Sequence, residues 1–206
     1  LFRSRNPFIQ FHISPNVKER EYLTEDELKA VMTHEFADSK LAYIRDIFIF
    51  ASFTALSFVD IQELTNDNIV EVNGEKWILS KRHKTKVAFQ VKLLDIPLQI
   101  VERYRPMQKD NRIFPGLNYW SICKPLKRMI RECGITKSIS FHCSRHGFAT
   151  LALSKGMPIE SVSRVLGHTN IVTTQLYAKI TTQKLDNDLT MFGDKLSKTF
   201  NGITMS

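Results

Sequence analysis

The run KLAYIRDIFIFASFTA, from Lys40 to Ala55, sets the terms on which this chain folds. It is rich in Phe and Ile and reads as one helix buried in a core, with the rest of the chain packed around it. The wider apolar stretch, Ile44 to Phe58, is too short to cross a bilayer and carries Arg45 and Asp46. Neither a membrane span nor a signal peptide is therefore expected, and the expected location is cytoplasmic. At 206 residues with 43% hydrophobic content, the chain is long enough for one domain with a substantial core.

Other elements fall on either side of that helix. Leu1 to Arg20 holds Pro7 and Pro15 without a clear period and reads as a linker. The chain starts without Met, so it is expected to be a piece of something longer. Thr24-Glu25-Asp26-Glu27 is a capping box that predicts a short helix to about His34. Ser57 to Leu64 predicts another. Ile69 to Val72, then Asn73-Gly74, then Lys76 to Leu79 is a hairpin pattern, and Val87 to Leu93 supplies a third strand. Helices resume near Pro97, and Asn111 to Asn118 is a loop. Further helices are predicted from Tyr119 to Cys133, stopped by Gly134, and from His142 to Gly156. Pro158 opens another, the Tyr177 segment is helical, and Thr182 to Phe192 is an amphipathic last helix. The expected fold is mostly α (α+β), a multi-helix domain over 21–193 with one small three-stranded antiparallel sheet. A polar, mobile tail is expected over 194–206.

Formal net charge is +8, which favours a polyanionic partner. The three cysteines, Cys123, Cys133 and Cys143, include no CxxC pair, so neither a disulfide framework nor a zinc ribbon follows. His142, Cys143, His146 and His168 fail to converge as a metal site, because Cys143 lies about 100° round the helix from His142. No metal and no cofactor is expected.

The chemistry concentrates between His142 and Tyr177. His142 and Arg145 stand three apart and point from one helix face. A second histidine follows in Leu166-Gly167-His168, and then Tyr177. Arg grips phosphate oxygens with a planar fork, His exchanges a proton near neutral pH, and Tyr can attack phosphorus. His146, one residue past the shared face, is read as structural.

This ordered set, His-x-x-Arg, Leu-Gly-His and Tyr, resembles the catalytic domain of the tyrosine recombinase (phage integrase) family, most of all the integrases of bacterial mobile elements. The resemblance runs from about Tyr22 to Leu189. It implies the DNA breaking-rejoining fold and strand exchange without ATP or metal. Tyr177 would be the nucleophile. Arg145 and His168 would contact the scissile phosphate, His142 would hydrogen-bond the phosphate or share the tyrosine's proton, and Lys84, on the loop between the second and third strands, would be the general acid. Double-stranded DNA would be the partner, bound by a tetramer assembled from monomers. A core-binding domain would precede Leu1, and the last helix would pack on a neighbouring subunit.

One position departs from the family pattern. Thr54-Ala55-Leu56-Ser57 places Ser57 where relatives carry their first catalytic arginine, while the supporting acid is kept as Asp60. Losing such a donor costs about 3 kcal/mol of transition-state stabilisation. Arg82, two residues from Lys84, is the expected substitute; Arg45 lies about 18 Å away along a straight helix. Lys81, Lys86, Lys124, Lys127, Arg128 and Arg131 are the expected DNA contacts. Two other functions fit the same residues: a type IB topoisomerase, and a DNA-binding domain that has lost catalysis, for which Ser57 speaks.

Overall fold

Two helices lead into the core: α1 (Glu25–Thr33) and α2 (Ser39–Thr54). The computed structural model describes residues 21–108, 110–178 and 182–201, without side chains over 182–187. The predicted linker over 1–20 lies outside the described residues, as does the end of the predicted tail. α1 begins with the reciprocal capping box the sequence predicts: the Glu27 amide donates to Thr24 Oγ1 at 3.3 Å, and the Thr24 amide donates to Glu27 Oε2 at 2.7 Å.

α2 is apolar on every side, with Leu41, Ile44, Ile47, Phe48, Ile49, Phe50 and Ala51 all buried. Such a helix needs partners all round, and α1, α4 (Asp95–Tyr104), α5 (Tyr119–Glu132) and α6 (His142–Ser154) supply them. Its one buried charge, Asp46, is satisfied by Arg45 Nε at 2.8 Å, Arg103 Nη1 at 2.7 Å and the Tyr104 hydroxyl at 2.7 Å. α2 stops at Ala55, which is fully buried in the left-handed region at φ 56. For a residue with a Cβ that conformation costs about 1 kcal/mol, so packing holds it there.

The chain then turns at Ser57 into α3 (Phe58–Gln62) and enters the sheet. Strands β1 (Ile69–Val72), β2 (Glu75–Lys81) and β3 (Ala88–Lys92) lie antiparallel in the order β1-β2-β3. Asn73 (φ 53) and Gly74 (φ 79) make the tight turn, setting Ile69 opposite Ile78. Ile78, Phe89 and Val91 face the core. α7 (Ile159–Leu166) packs on β3, which carries the end of α7 to the turn between β2 and β3.

Two boundaries depart from the sequence expectation. α8 (Val172–Gln175) ends before Tyr177, so the tyrosine sits in the turn that follows instead of on a helix. α9 (Thr182–Thr199) runs through Gly193, so the predicted tail is helical as far as Thr199. A mid-helix glycine costs only about 1 kcal/mol relative to alanine, too little to stop a helix by itself. Apart from the main core, Ala55, Ala149, Leu153, Val162 and Leu166 form a smaller cluster against which Tyr177 and Ala178 pack. That cluster is the floor of the candidate site.

Candidate active site

Asp60 is the point from which the site is built. Ser57 caps α3, its hydroxyl donating to Asp60 Oδ2 at 2.8 Å. The same oxygen accepts from Arg82 Nη1 at 2.8 Å, and Oδ1 accepts from the His83 amide at 3.0 Å. Burial raises the pKa of this carboxyl, but the bonds from His83, Arg82 and Ser57 outweigh it and hold it below the usual carboxylate range. Ser57 therefore spends its hydroxyl on Asp60, and as the α3 cap it cannot stand in for a cation.

Arg82 turns inward from the end of β2 and is only 5% exposed. Its other terminal nitrogen donates to the Val165 carbonyl at 2.5 Å, and its guanidinium lies 4.0 Å over the ring of Phe89. Burial draws its pKa below the ordinary value while the pairing with Asp60 opposes the shift. Among the described residues, Nε of Arg82 is the buried side-chain nitrogen with no acceptor. It faces Gly167, where a Cβ would lie 2.9 Å from Nε and 3.1 Å from Cγ of Arg82. The glycine of Leu166-Gly167-His168 thus makes room for Arg82 and supplies the φ of 63 that ends α7.

Arg145, on α6, spans two helix ends. Nη1 donates to the Ala55 carbonyl at 2.8 Å and Nη2 donates to the Leu166 carbonyl. These bonds use two of the five N–H groups a guanidinium carries. Its pKa is pushed down to about 10, first by burial and then by repulsion from Arg82, with Asp60 and Tyr177 acting the other way. It stays charged at neutral pH. Two guanidinium groups are therefore held near one another against a single carboxylate, an excess of positive charge that suits a phosphodiester anion.

His168 follows the end of α7 with Nδ1 2.9 Å from Thr174 Oγ1. Burial, then Arg145, Arg82 and His142, push its pKa down to about 4, so the ring is neutral at working pH. His142 is exposed at the start of α6. His146, one turn on, is buried, its ring 4.6 Å from that of His142 and 5.2 Å from that of Tyr177. A residue the sequence analysis set aside as structural thus lies between two members of the site. Residues four apart on a helix are neighbours, so the spacing from His142 was the signal for it. Cys143 faces the other way, buried in the main core with its thiol 3.3 Å from Ser140 Oγ.

Lys84 is exposed in the turn between β2 and β3, with Lys81 and Lys86 exposed on either side. That turn is fixed to α3 twice, through His83 N–H on Asp60 and through the His83 ring on Glu63 at 2.7 Å. Lys124, Lys127, Arg128 and Arg131 line one open depression along α5. Arg128 is partly engaged there, with Asp38 at 3.2 Å and Glu132 at 3.7 Å. The backbone acceptors Ala55, Val165 and Leu166, which aim the two arginines, leave no trace in side-chain identity.

Helices gathered round α2, a small sheet whose turn brings a guanidinium toward Arg145, and a tyrosine packed on the small cluster beside α6 and α7 form the layout of a tyrosine recombinase catalytic domain. The chain belongs to the phage integrase family, whose model matches residues 21–184. Tyrosine recombinase XerA of Pyrococcus horikoshii is 32% identical over 177 residues, 79% of this chain and 58% of that protein. Tyrosine recombinase XerD of Listeria monocytogenes is 38% identical over 86 residues, 39% of this chain and 29% of that protein. The chain thus spans less than two thirds of these curated relatives. A crystal structure of XerA recombinase superposes with a TM-score of 0.67 at 21% identity, over 84% of this chain and 65% of that one. The Tn1549 transposon integrase in complex with a circular intermediate DNA gives 0.72 at 16% identity, over 87% and 68%. At these identities the structural likeness speaks for the fold. Among the described residues no helix is long and apolar enough to cross a membrane.

Proposed function

We propose that the chain is the catalytic part of a site-specific DNA recombinase, an integrase of a mobile element, acting on duplex DNA in the bacterial cytoplasm. Tyr177 attacks the scissile phosphate through its hydroxyl oxygen, forming a 3′-phosphotyrosyl bond as the bond to the 5′ oxygen breaks. His142, exposed at the start of α6, takes the phenol proton, and Lys84 gives a proton to the departing 5′ oxygen. Arg145 holds a non-bridging oxygen as charge builds, the buried Arg82 adds its positive charge through space, and neutral His168 donates to the same group. A 5′ hydroxyl from a partner duplex reverses the step and joins new strands. The bond energy stays in the phosphotyrosine, so neither ATP nor divalent metal is required.

The observation that carries this reading is the electrostatic cluster of Arg82, Arg145, His168 and Tyr177, assembled from four separate elements. It supports Arg82 as the source of the charge that Ser57 lacks. Lys81, Lys86, Lys124, Lys127, Arg128 and Arg131 are proposed as contacts to the DNA backbone, which makes affinity fall steeply with salt. The exposed Leu189, Met191, Phe192 and Leu196 of α9 favour packing on a neighbouring subunit, in a tetramer on DNA. A domain before Leu1 would complete the grip on DNA.

The test is mass spectrometry after incubation of the full-length protein with a nicked suicide duplex in EDTA. A covalent DNA adduct on Tyr177 is expected. A folded protein that binds the duplex without forming the adduct would leave only a DNA-binding domain, and relaxation of supercoils without synapsis would leave a topoisomerase.

A further inference from the structure

Thr174 is fully buried, three residues before Tyr177. Threonines in helices commonly return their hydroxyl proton to the preceding turn, as Thr54 does to the Phe50 carbonyl at 2.7 Å. Thr174 instead turns its hydroxyl to Nδ1 of His168, at 2.9 Å. Among the described hydrogen bonds no other partner takes that hydroxyl. At Nδ1 the hydroxyl either donates its proton to a bare nitrogen or accepts an N–H, according to the tautomer of the ring.

A neutral imidazole has one N–H, and the bond made at one nitrogen decides which nitrogen carries it. We propose that Thr174 is the positioning residue for His168: its hydroxyl donates to Nδ1, fixes the proton on Nε2, and so presents an uncharged donor to the bound phosphate. The low pKa of His168 fits this assignment, since a protonated ring leaves Nδ1 nothing to accept with. The Thr174 carbonyl also accepts the Tyr177 amide at 3.0 Å. One residue thus ties the nucleophile's turn to the orientation of the phosphate donor, and a tyrosine segment that withdraws together with Thr174 frees the ring of His168. The role at phosphate rests on the recombinase function proposed above; the tautomer does not.

The experiment is ¹⁵N NMR of the histidine side chains in the labelled chain at pH 7, with His168→Gln for assignment, paired with single-turnover adduct formation on the nicked duplex. The wild-type His168 ring is expected as the Nε2–H tautomer with Nδ1 accepting. Thr174→Val is expected to raise the Nδ1–H population and slow adduct formation about tenfold at unchanged DNA affinity, the worth of one oriented hydrogen bond. Thr174→Ser, which keeps the hydroxyl, should restore both. An Nδ1–H or doubly protonated ring in the wild type overturns the proposal. So does a Thr174→Val protein with a wild-type tautomer and rate. If the wild type forms no adduct, the recombinase function fails while the spectrum still decides what Thr174 does to the ring.

Discussion

Replacing Arg82 tests the site most directly, provided loss of fold is separated from loss of charge. Arg82→Ala leaves Asp60, itself buried, without its ionic partner, which costs about 3 kcal/mol of stability. Asp60→Asn strands the buried Arg82 charge in the same way, so the comparison is Asp60→Asn against the double variant Asp60→Asn with Arg82→Met, made once both are shown to fold. Both remove the buried carboxylate, and only the second removes the guanidinium. A guanidinium roughly 5 Å from the phosphoryl oxygens, at an effective dielectric near 20, contributes about 3 kcal/mol. The double variant should therefore form the Tyr177 adduct on a nicked duplex about a hundredfold more slowly than Asp60→Asn. Thermal melting confirms that both are folded. Because Arg82 also helps lower the His168 pKa, a histidine NMR titration should place that pKa higher in the double variant. Equal adduct rates in two folded proteins would refute the assignment of the missing charge to Arg82.

Three further outcomes rest on the same geometry. Gly167→Ala places a Cβ 2.9 Å from Arg82 Nε at a φ of 63, so it should lower the melting temperature by several degrees and slow adduct formation more than tenfold. For His168 the folded pKa of about 4 lies below the unfolded value of 6.5, so the unfolded chain binds the extra proton first. Stability from this group is complete above pH 6.5 and is lost as pH falls toward 4, and in melts across that window His168→Gln should show a shallower decline. Lys84→Ala should be slow on an ordinary phosphodiester, and a substrate with sulfur in place of the 5′ bridging oxygen should restore its rate, since a thiolate leaves without a proton; failure of that rescue excludes Lys84 as the general acid.

Local signals carried far in this chain, and they stopped where tertiary contact took over. The capping box at Thr24, the Asn73-Gly74 turn and the apolar run of α2 each specify their element with little help from elsewhere. Spacing alone sets His142 and Arg145 on one helix face, and the resemblance carried by the ordered set is what singles out His168 and Tyr177. Which member of the basic run Lys81 to Lys86 turns inward was also encoded, in the alternation of β2: Ile78 is buried, Leu79 and Lys81 are exposed, and Arg82 falls on the buried side. The end of α8 was not legible, because a four-residue helix has too few positions to show a period. Nor were the carbonyls of Ala55, Val165 and Leu166, which serve as acceptors only once the ends of α2 and α7 meet around the two arginines.

With Arg82 proposed as the source of the charge that Ser57 lacks, the β2–β3 turn would carry that charge as well as Lys84. Here Arg82 and His83, adjacent to Lys84, both bind Asp60, and His83 also reaches Glu63. Any large swing of the turn must break a buried ion pair, whereas the Lys84 side chain alone can reorient without that cost. Under the proposed function, the charge of Arg82 and the proton of Lys84 both come from one short segment anchored by one carboxylate. Substitution of Asp60 should consequently disturb both contributions together, and a 5′-bridging sulfur should rescue only the protonation part of the loss. Complete rescue of Asp60→Ala by sulfur would mean that the carboxylate serves Lys84 alone, and the shared anchor would be wrong.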